Sequence, residues 1–265
     1  MTVRIVADST SDLPSEVAKE LGITVVPLYV LFGTESYRNG VDLTTDQFYD
    51  KLVHTKTLPT TSVPSPGTFA QAYDKLAEET DEILAITISH KLSATYESAL
   101  QAVDRMKKKC RVEVVDSQWA LMALGLLVIA AAKAANSGAS LDEVVALTRR
   151  NISRLDMRIA FDTLEYLRRG GRIGKAQAFF GSLLKVNPVL TIKDGETYPA
   201  ARERSRTKAL DYLYNFATSF SHIEEMAVEH ATTPDEADGL IERISAKFPK
   251  ERIYRTRAGP VIGTH

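Results

Sequence analysis

Glu82-Ile83-Leu84-Ala85-Ile86-Thr87-Ile88, Ser89-His90-Lys91-Leu92-Ser93, the span 94–108 and Arg111-Val112-Glu113-Val114-Val115 follow one another without a gap longer than two residues. The first run is short, apolar and rich in Ile, as a strand buried on both faces must be. The polar pentapeptide is a loop, the span 94–108 reads as a helix, and the last run is a second strand. A strand, a helix and a strand in that order make a βαβ unit, and therefore a parallel pair.

The same alternation extends upstream. Residues 3–7 form a short apolar strand that ends in the polar loop Asp8-Ser9-Thr10-Ser11-Asp12. Pro14 opens a helix, Glu16 sits in its first turn and Gly22 stops it. Residues 23–30 read as one β-branched strand, Arg38-Asn39-Gly40 carries a turn signal, and Thr44-Thr45-Asp46 caps a helix reaching about residue 53. Pro59-Thr60-Thr61-Ser62-Val63-Pro64-Ser65-Pro66-Gly67 holds three prolines and four hydroxyls in nine residues, too many breakers for a helix or central strand. It reads as a stiff loop before a helix at 68–79. Downstream, Asp116-Ser117 caps a long apolar helix at 118–136, and Ser140-Leu141-Asp142-Glu143 opens another by the capping-box pattern.

The pattern changes after about residue 155. A short strand at 158–161 and a short helix at 163–169 lead into Arg168-Arg169-Gly170-Gly171-Arg172-Ile173-Gly174, a basic glycine turn. A helix is expected at 175–185, with Phe179, Phe180, Leu183 and Leu184 as a candidate apolar wall. Strands at 189–192 and 197–201 flank Asp194-Gly195, a hairpin signal. A helix at 205–220, a strand at 225–229, a helix opened by Thr233-Pro234 and a last strand at 252–256 complete an α+β half. The expected architecture is α/β with two domains: a parallel-sheet α/β layer domain at 1–154 and a smaller α+β domain at 155–265.

Composition narrows the function. Of 265 residues 44% are hydrophobic and 25% charged, which supports a packed core. Lys plus Arg is 33 and Asp plus Glu is 34, so no global basic field exists to hold nucleic acid. The single cysteine, Cys110, permits no intrachain disulfide and no Cys-rich zinc site, in keeping with a reducing cytoplasm. Its neighbours Lys107, Lys108, Lys109 and Arg111 can lower a thiol pKa, against the plainer reading of a residue between a helix end and a strand. The N-terminus reads as a strand, not a signal peptide, and the longest apolar run, 119–132, is shorter than the ~20 residues of a membrane span.

The usual catalytic signatures are missing: no nucleophile elbow, zincin motif, Walker loop or dinucleotide fingerprint occurs, and His54, His90, His222, His230 and His265 do not pair at metal-ligand spacing. What stands out is hydroxyls where strands end. Ligands of open α/β sheets bind beyond the carboxyl ends of the strands, and the loops 8–12, 60–65 and 89–93 occupy such positions. Ser93 precedes the helix at 94–108, so its hydroxyl and the free N–H groups of the first turn can face a carboxylate or phosphate together; a plain N-cap is the alternative. Asp8 and Asp12 can hold Mg²⁺ or simply cap the helix entrance. Arg168, Arg169 and Arg172 can grip an anion or offset a helix dipole. Arg202, Arg204, Arg206 and Lys208 form a solvated face or a docking patch for an acidic partner. His265, in a Gly/Pro-rich segment, is an exposed residue or a hydrogen-bond donor to a carboxylate.

Six segments taken together resemble the DegV family: Ile5-Val6-Ala7-Asp8-Ser9-Thr10-Ser11-Asp12-Leu13-Pro14; Thr61-Ser62-Val63-Pro64-Ser65-Pro66-Gly67; residues 88–99; Val115-Asp116-Ser117; residues 164–173; and Gly263-Thr264-His265. They run in order over essentially the whole chain. The resemblance implies a two-domain bacterial, cytoplasmic protein that is not itself an enzyme and needs no cofactor. It implies one long-chain fatty acid, such as palmitate, stearate or oleate, held in an apolar tunnel between the domains. The carboxylate is presented to the separate catalytic subunit of a fatty acid kinase, which makes the acyl phosphate for phospholipid metabolism. Transient contact with a membrane surface is compatible with that role. By position Thr61 and Ser93 hydrogen-bond the carboxylate, Ser62 lies beside Thr61, His265 stands near the head group, and Arg204, with Arg202, faces the kinase. The sequence departs at Ala94, where the family usually has Gly, and stops at His265, where members usually continue.

Two rivals belong to other classes. One is a stand-alone phosphoryl or acyl transferase using Asp8, Asp12 and Mg²⁺; the other is a binding module for a different anionic lipid.

Overall fold

In the computed structural model, which describes residues 2–179 and 186–265, the chain divides into two compact units. The first comprises 1–155 with 258–264, and the second 156–257 with His265.

In the first unit the elements run β1 (Arg4–Asp8), α1 (Ser15–Glu20), β2 (Thr24–Val26), β3 (Tyr29–Phe32), β4 (Glu35–Arg38), α2 (Thr45–His54), β5 (Thr60–Ser62), α3 (Pro66–Leu76), β6 (Glu82–Thr87), α4 (Thr95–Val103), β7 (Arg111–Asp116), α5 (Leu121–Asn136) and α6 (Leu141–Ile152). Strands β2-β1-β6-β7 form a four-stranded parallel sheet in that order. Its central strands β1 and β6 are buried on both faces, as inner strands of a parallel sheet must be. Val6, Ile83, Ala85 and Val114 pack with Phe69, Tyr73 and Leu76 of α3 and Ala99 and Ala102 of α4. Helices α5 and α6 pack on the same sheet; α5 is buried nearly all round, and its Gly125 lets the backbone of Ser11 approach where a Cβ would collide with the Ser11 carbonyl.

Two local readings change. The run 23–30 is two strands, because Pro27 breaks the ladder: β2 joins the parallel sheet and β3 an antiparallel sheet of order β4-β3-β5. The β3–β4 hairpin turns at Gly33, with φ +63°, and the Asn39-Gly40 signal is realised in the turn that follows β4, where Gly40 stands at φ +74° and Val41 N donates to Arg38 O at 3.1 Å. The stretch expected to be loop contributes β5, a three-residue edge strand between Pro59 and Pro64, an edge being the place where flanking prolines are tolerated. The predicted capping box of Ser140 with Glu143 forms, and the cap read at Thr44 is likewise a capping box, with Gln47.

The second unit contains β8 (Ile159–Ala160), α7 (Glu165–Arg169), β9 (Asn187–Lys193), β10 (Glu196–Glu203), α8 (Arg206–Ala217), β11 (Met226–His230), α9 (Pro234–Ser245) and β12 (Ile253–Arg257). Strands β10-β9-β8 are antiparallel, and β11 pairs with β12 in parallel. Asp194 and Gly195 turn the β9–β10 hairpin at φ +51° and +79°, as an Asp-Gly type I′ turn requires. The helix expected at 175–185 begins as a 3-10 turn, Gly174–Phe179; Phe180, Leu183 and Leu184 lie outside the described residues.

Residues 258–264, which the sequence groups with the second half, pack within the first unit and carry α10 (Pro260–Gly263). Asp12 Oδ1 accepts from Gly259 N at 3.0 Å, Tyr49 Oη donates to Ala258 O at 3.0 Å, and Val261 joins the core of Leu28, Val30, Phe32, Phe48 and Tyr49. Among the described residues no helix is long and apolar enough to cross a membrane.

Candidate functional site

The parallel sheet has one point where the strand order reverses. From β1 the chain goes to β2 on one side, and β6 goes on to β7 on the other. The loops leaving β1 and β6 therefore flank the switch point at the carboxyl edge, the place where open α/β sheets take their ligands. Asp8, fully buried at the end of β1, ties the two loops together. Its Oδ1 accepts from Thr10 N at 2.9 Å and Thr10 Oγ1 at 2.5 Å, and its Oδ2 accepts from Ile88 N, at the end of β6, at 2.7 Å. Burial pushes the Asp8 carboxyl upward, and the hydrogen bonds from Thr10 and Ile88 pull it back. Asp12, at φ +46°, is turned to Gly259. The two acids thus serve the protein's own N–H and O–H donors. Among the described residues no group of three or more His, Cys, Asp or Glu is placed to hold a metal.

Ser93 lies in the loop leaving β6. Leu92 N and Ser93 N donate to Ser89 O at 3.0 and 3.1 Å, which folds the loop into a compact turn. Helix α4 starts at Thr95, so the N-cap is Ala94, not Ser93, and no side chain caps the helix. The Ser93 hydroxyl lies 2.8 Å from Thr95 Oγ1. With Thr95 donating, the Ser93 proton is left for an external acceptor. Ala94 is exposed, with φ −73° and ψ +17°, an ordinary right-handed backbone that does not require glycine.

Thr61 is half-buried on β5 and pairs with Val30, whose side chain is in the core, so its own side chain shares that inner face. Ser62 and Thr60 point to the opposite face and are exposed. Strand alternation therefore separates the hydroxyls of Thr61 and Ser62.

In the second unit His265 packs on Gly170, where any Cβ would run into its imidazole. Burial, with Arg172 nearby, lowers its pKa to about 4, so at neutral pH it is an uncharged ring. Arg169 pairs with Glu165, and Arg172 donates to Gly170 O. Arg206 is held by both oxygens of Glu236, half-buried, and is structural. Arg202 is exposed and stacks over Phe179 at 4.2 Å, and Arg204 is exposed. Burial and the carboxylates of Asp81 and Glu82 push the Cys110 thiol up, against the lowering its basic sequence neighbours would give.

Asp116 had only a capping role in the sequence reading. In the structure it binds the loop that carries Ser93, a contact between residues 26 apart that no local pattern announces.

The fold is that of an α/β protein whose polar loops stand at the carboxyl edge of an open parallel sheet. A family model described as "Uncharacterised protein, DegV family" matches residues 2–265, and the chain belongs to the DegV family. A DegV domain-containing protein of Caldanaerobacter subterraneus is 36% identical over 267 residues, 99% of this chain and 94% of that one. A solved structure described as fatty acid binding of a DegV family protein from Thermus thermophilus is 36% identical with TM-score 0.90, covering 100% of this chain and 95% of that one. One described as DegV, a fatty acid binding protein from Bacillus subtilis, is 33% identical with TM-score 0.91 and the same coverage.

Proposed function

We propose that this chain binds one long-chain fatty acid and presents its carboxylate to the catalytic subunit of a fatty acid kinase, without catalysing the transfer itself. The observation that carries the reading is the start of α4. Its first-turn N–H groups have no side-chain cap, and the Ser93 hydroxyl lies beside them. Such an end favours an anion by its unpaired donors and by the helix dipole. Ser93 and Thr61 are the carboxylate ligands in this proposal, and Ser62 is not. The binding of fatty acids by the Thermus and Bacillus relatives supports the ligand class. A long acyl chain gains about 0.8 kcal/mol per CH₂ removed from water, which demands an apolar enclosure. The exposed Arg204 and Arg202 face the kinase. Both oxygens of Asp8 accept from protein donors, which counts against the stand-alone transferase reading.

The test is mass spectrometry of an organic extract of the purified chain, followed by loading with oleate and palmitate. One fatty acid per chain is expected. A different anionic lipid would move the ligand class, and no lipid from either route would overturn the carrier reading.

A further inference from the structure

We propose that Asp116, at the end of β7, is a positioning residue for the fatty-acid head group, acting through the loop 89–93. The inference rests on the carrier reading and adds to it a residue with no contact to the ligand.

Three observations converge. First, one carboxylate holds both sides of the loop junction. Asp116 Oδ1 accepts from His90 N at 3.2 Å and from Gln118 N at 3.0 Å, while its Oδ2 lies 2.5 Å from His90 Nδ1. Second, the segment around it is tied to the same loop by backbone. Ser89 N donates to Trp119 O at 2.9 Å and Ser117 N to Thr87 O at 3.1 Å. Ser117 Oγ bonds Trp119 at both its N and its O, at 3.0 and 3.1 Å. Third, this support is strained. Gln118 and Leu121 stand at φ +59° and +55°, which non-glycine residues adopt only when their surroundings compel it. Strain of this kind persists where a loop has to be held in one place.

The consequence reaches Ser93 through a short path. The Ser89 carbonyl receives Leu92 N and Ser93 N, so fixing Ser89 and His90 fixes the turn that sets the Ser93 hydroxyl and the start of α4. Asp116 is only slightly exposed and His90 nearly half, so the acid is the fixed partner and the imidazole is clamped to it. A carboxylate suits this task better than an amide, because all three of its partners are nitrogens able to donate.

The experiment uses the full chain and oleate labelled with ¹³C at the carboxyl. Asp116→Ala is expected to weaken oleate binding roughly ten- to hundred-fold, and to move the bound carboxyl resonance toward that of free oleate. Asp116→Asn keeps an acceptor for the His90 and Gln118 amides and is expected to recover most of the affinity. In a Ser93→Ala background, Asp116→Ala is expected to cost less affinity than it does in the wild type, because part of its effect runs through Ser93 and the rest through the start of α4. Unchanged affinity and resonance in a folded Asp116→Ala, or full additivity with Ser93→Ala, would overturn the proposal. Should Asp116→Ala fail to fold, the affinity and resonance of Asp116→Asn against Asp116→Glu decide, since a displaced carboxylate must perform worse than a centred amide. Amide hydrogen exchange separates failure of this inference from failure of the carrier reading. If the wild type takes no oleate, faster exchange at 89–93 in the Asp116 variants still supports loop positioning, and unchanged exchange overturns it.

Discussion

The carboxylate of Asp8 accepts the amide of Ile88 at 2.7 Å across the point where the parallel sheet reverses its strand order. That single bond joins the loop leaving β1 to the loop leaving β6, 80 residues away. It turns an acid that sequence alone offers as a metal ligand into a structural brace. Asp8→Ala leaves buried N–H donors at Thr10 and Ile88 without their acceptor. A loss of about 2–4 kcal/mol in urea unfolding is expected. Loss of fatty acid should follow in proportion to unfolding only. A stable Asp8→Ala that binds normally would remove the brace from the account.

The acid dependence of stability has a defined direction at His265. Its pKa is about 4 in the fold and about 6.5 when unfolded. Above pH 6.5 both states are neutral and stability is level in this respect. Between 6.5 and 4 the unfolded chain takes up the proton and the folded chain does not, so stability falls as the pH falls. The ceiling is ~3 kcal/mol, reduced if the ring swings into water. Gly170→Ala evicts the imidazole, because the new methyl occupies its place. In that variant the NMR titration of His265 should return toward 6.5. A midpoint near 4 in Gly170→Ala would show that Gly170 does not define the niche.

How much of this was legible in the sequence depends on the range of the interaction. Period and capping residues located β1, β6, β7, α5, α6 and the Asp194-Gly195 hairpin, because each is decided within a few residues. Pro27 split a run that β-propensity made continuous, a case where one missing N–H outweighs several favourable side chains. Ser93 does follow β6, as the strand-end reading expects, whereas Thr61 lies in the middle of β5 of the antiparallel sheet and not at an end of the parallel one. The grip of Asp116 on His90 was not legible, since it exists only once β6 and β7 lie side by side. The return of 258–264 to the first unit was equally hidden: it depends on Asp12 meeting Gly259, 247 residues away.

Arg204 and Arg206 stand two residues apart with opposite expectations. Arg206 is half-buried and locked to Glu236, so Arg206→Ala should cost stability, about 1–3 kcal/mol for a charge-assisted pair. Arg204 is exposed, so Arg204→Glu should leave the melting temperature and oleate affinity unchanged. It should weaken association with the kinase subunit, measured by surface plasmon resonance at low and moderate salt. Wild-type association by Arg204→Glu at low salt would take this face out of the interface.

Ala94 offers the sharpest separation between a structural and a binding role for the start of α4. It occupies the N-cap with no side chain able to reach the first-turn N–H groups. Ala94→Asp supplies a carboxylate that caps the helix, and an N-cap of this type is worth about 1 kcal/mol over alanine. If the helix end is only an uncapped helix end, stability rises and ligand binding does not change. If those N–H groups receive the fatty-acid carboxylate, the new side chain takes their place and repels the ligand's charge. The expected result is therefore opposite in sign for the two measurements: higher stability in urea unfolding and at least ~10-fold weaker oleate binding by fluorescence titration. Ala94→Gly controls for the loss of the methyl; with φ at −73° it introduces no relief of strain, and its oleate affinity should stay within a few-fold of wild type. A stabilised Ala94→Asp that binds oleate as well as wild type would place the head group elsewhere.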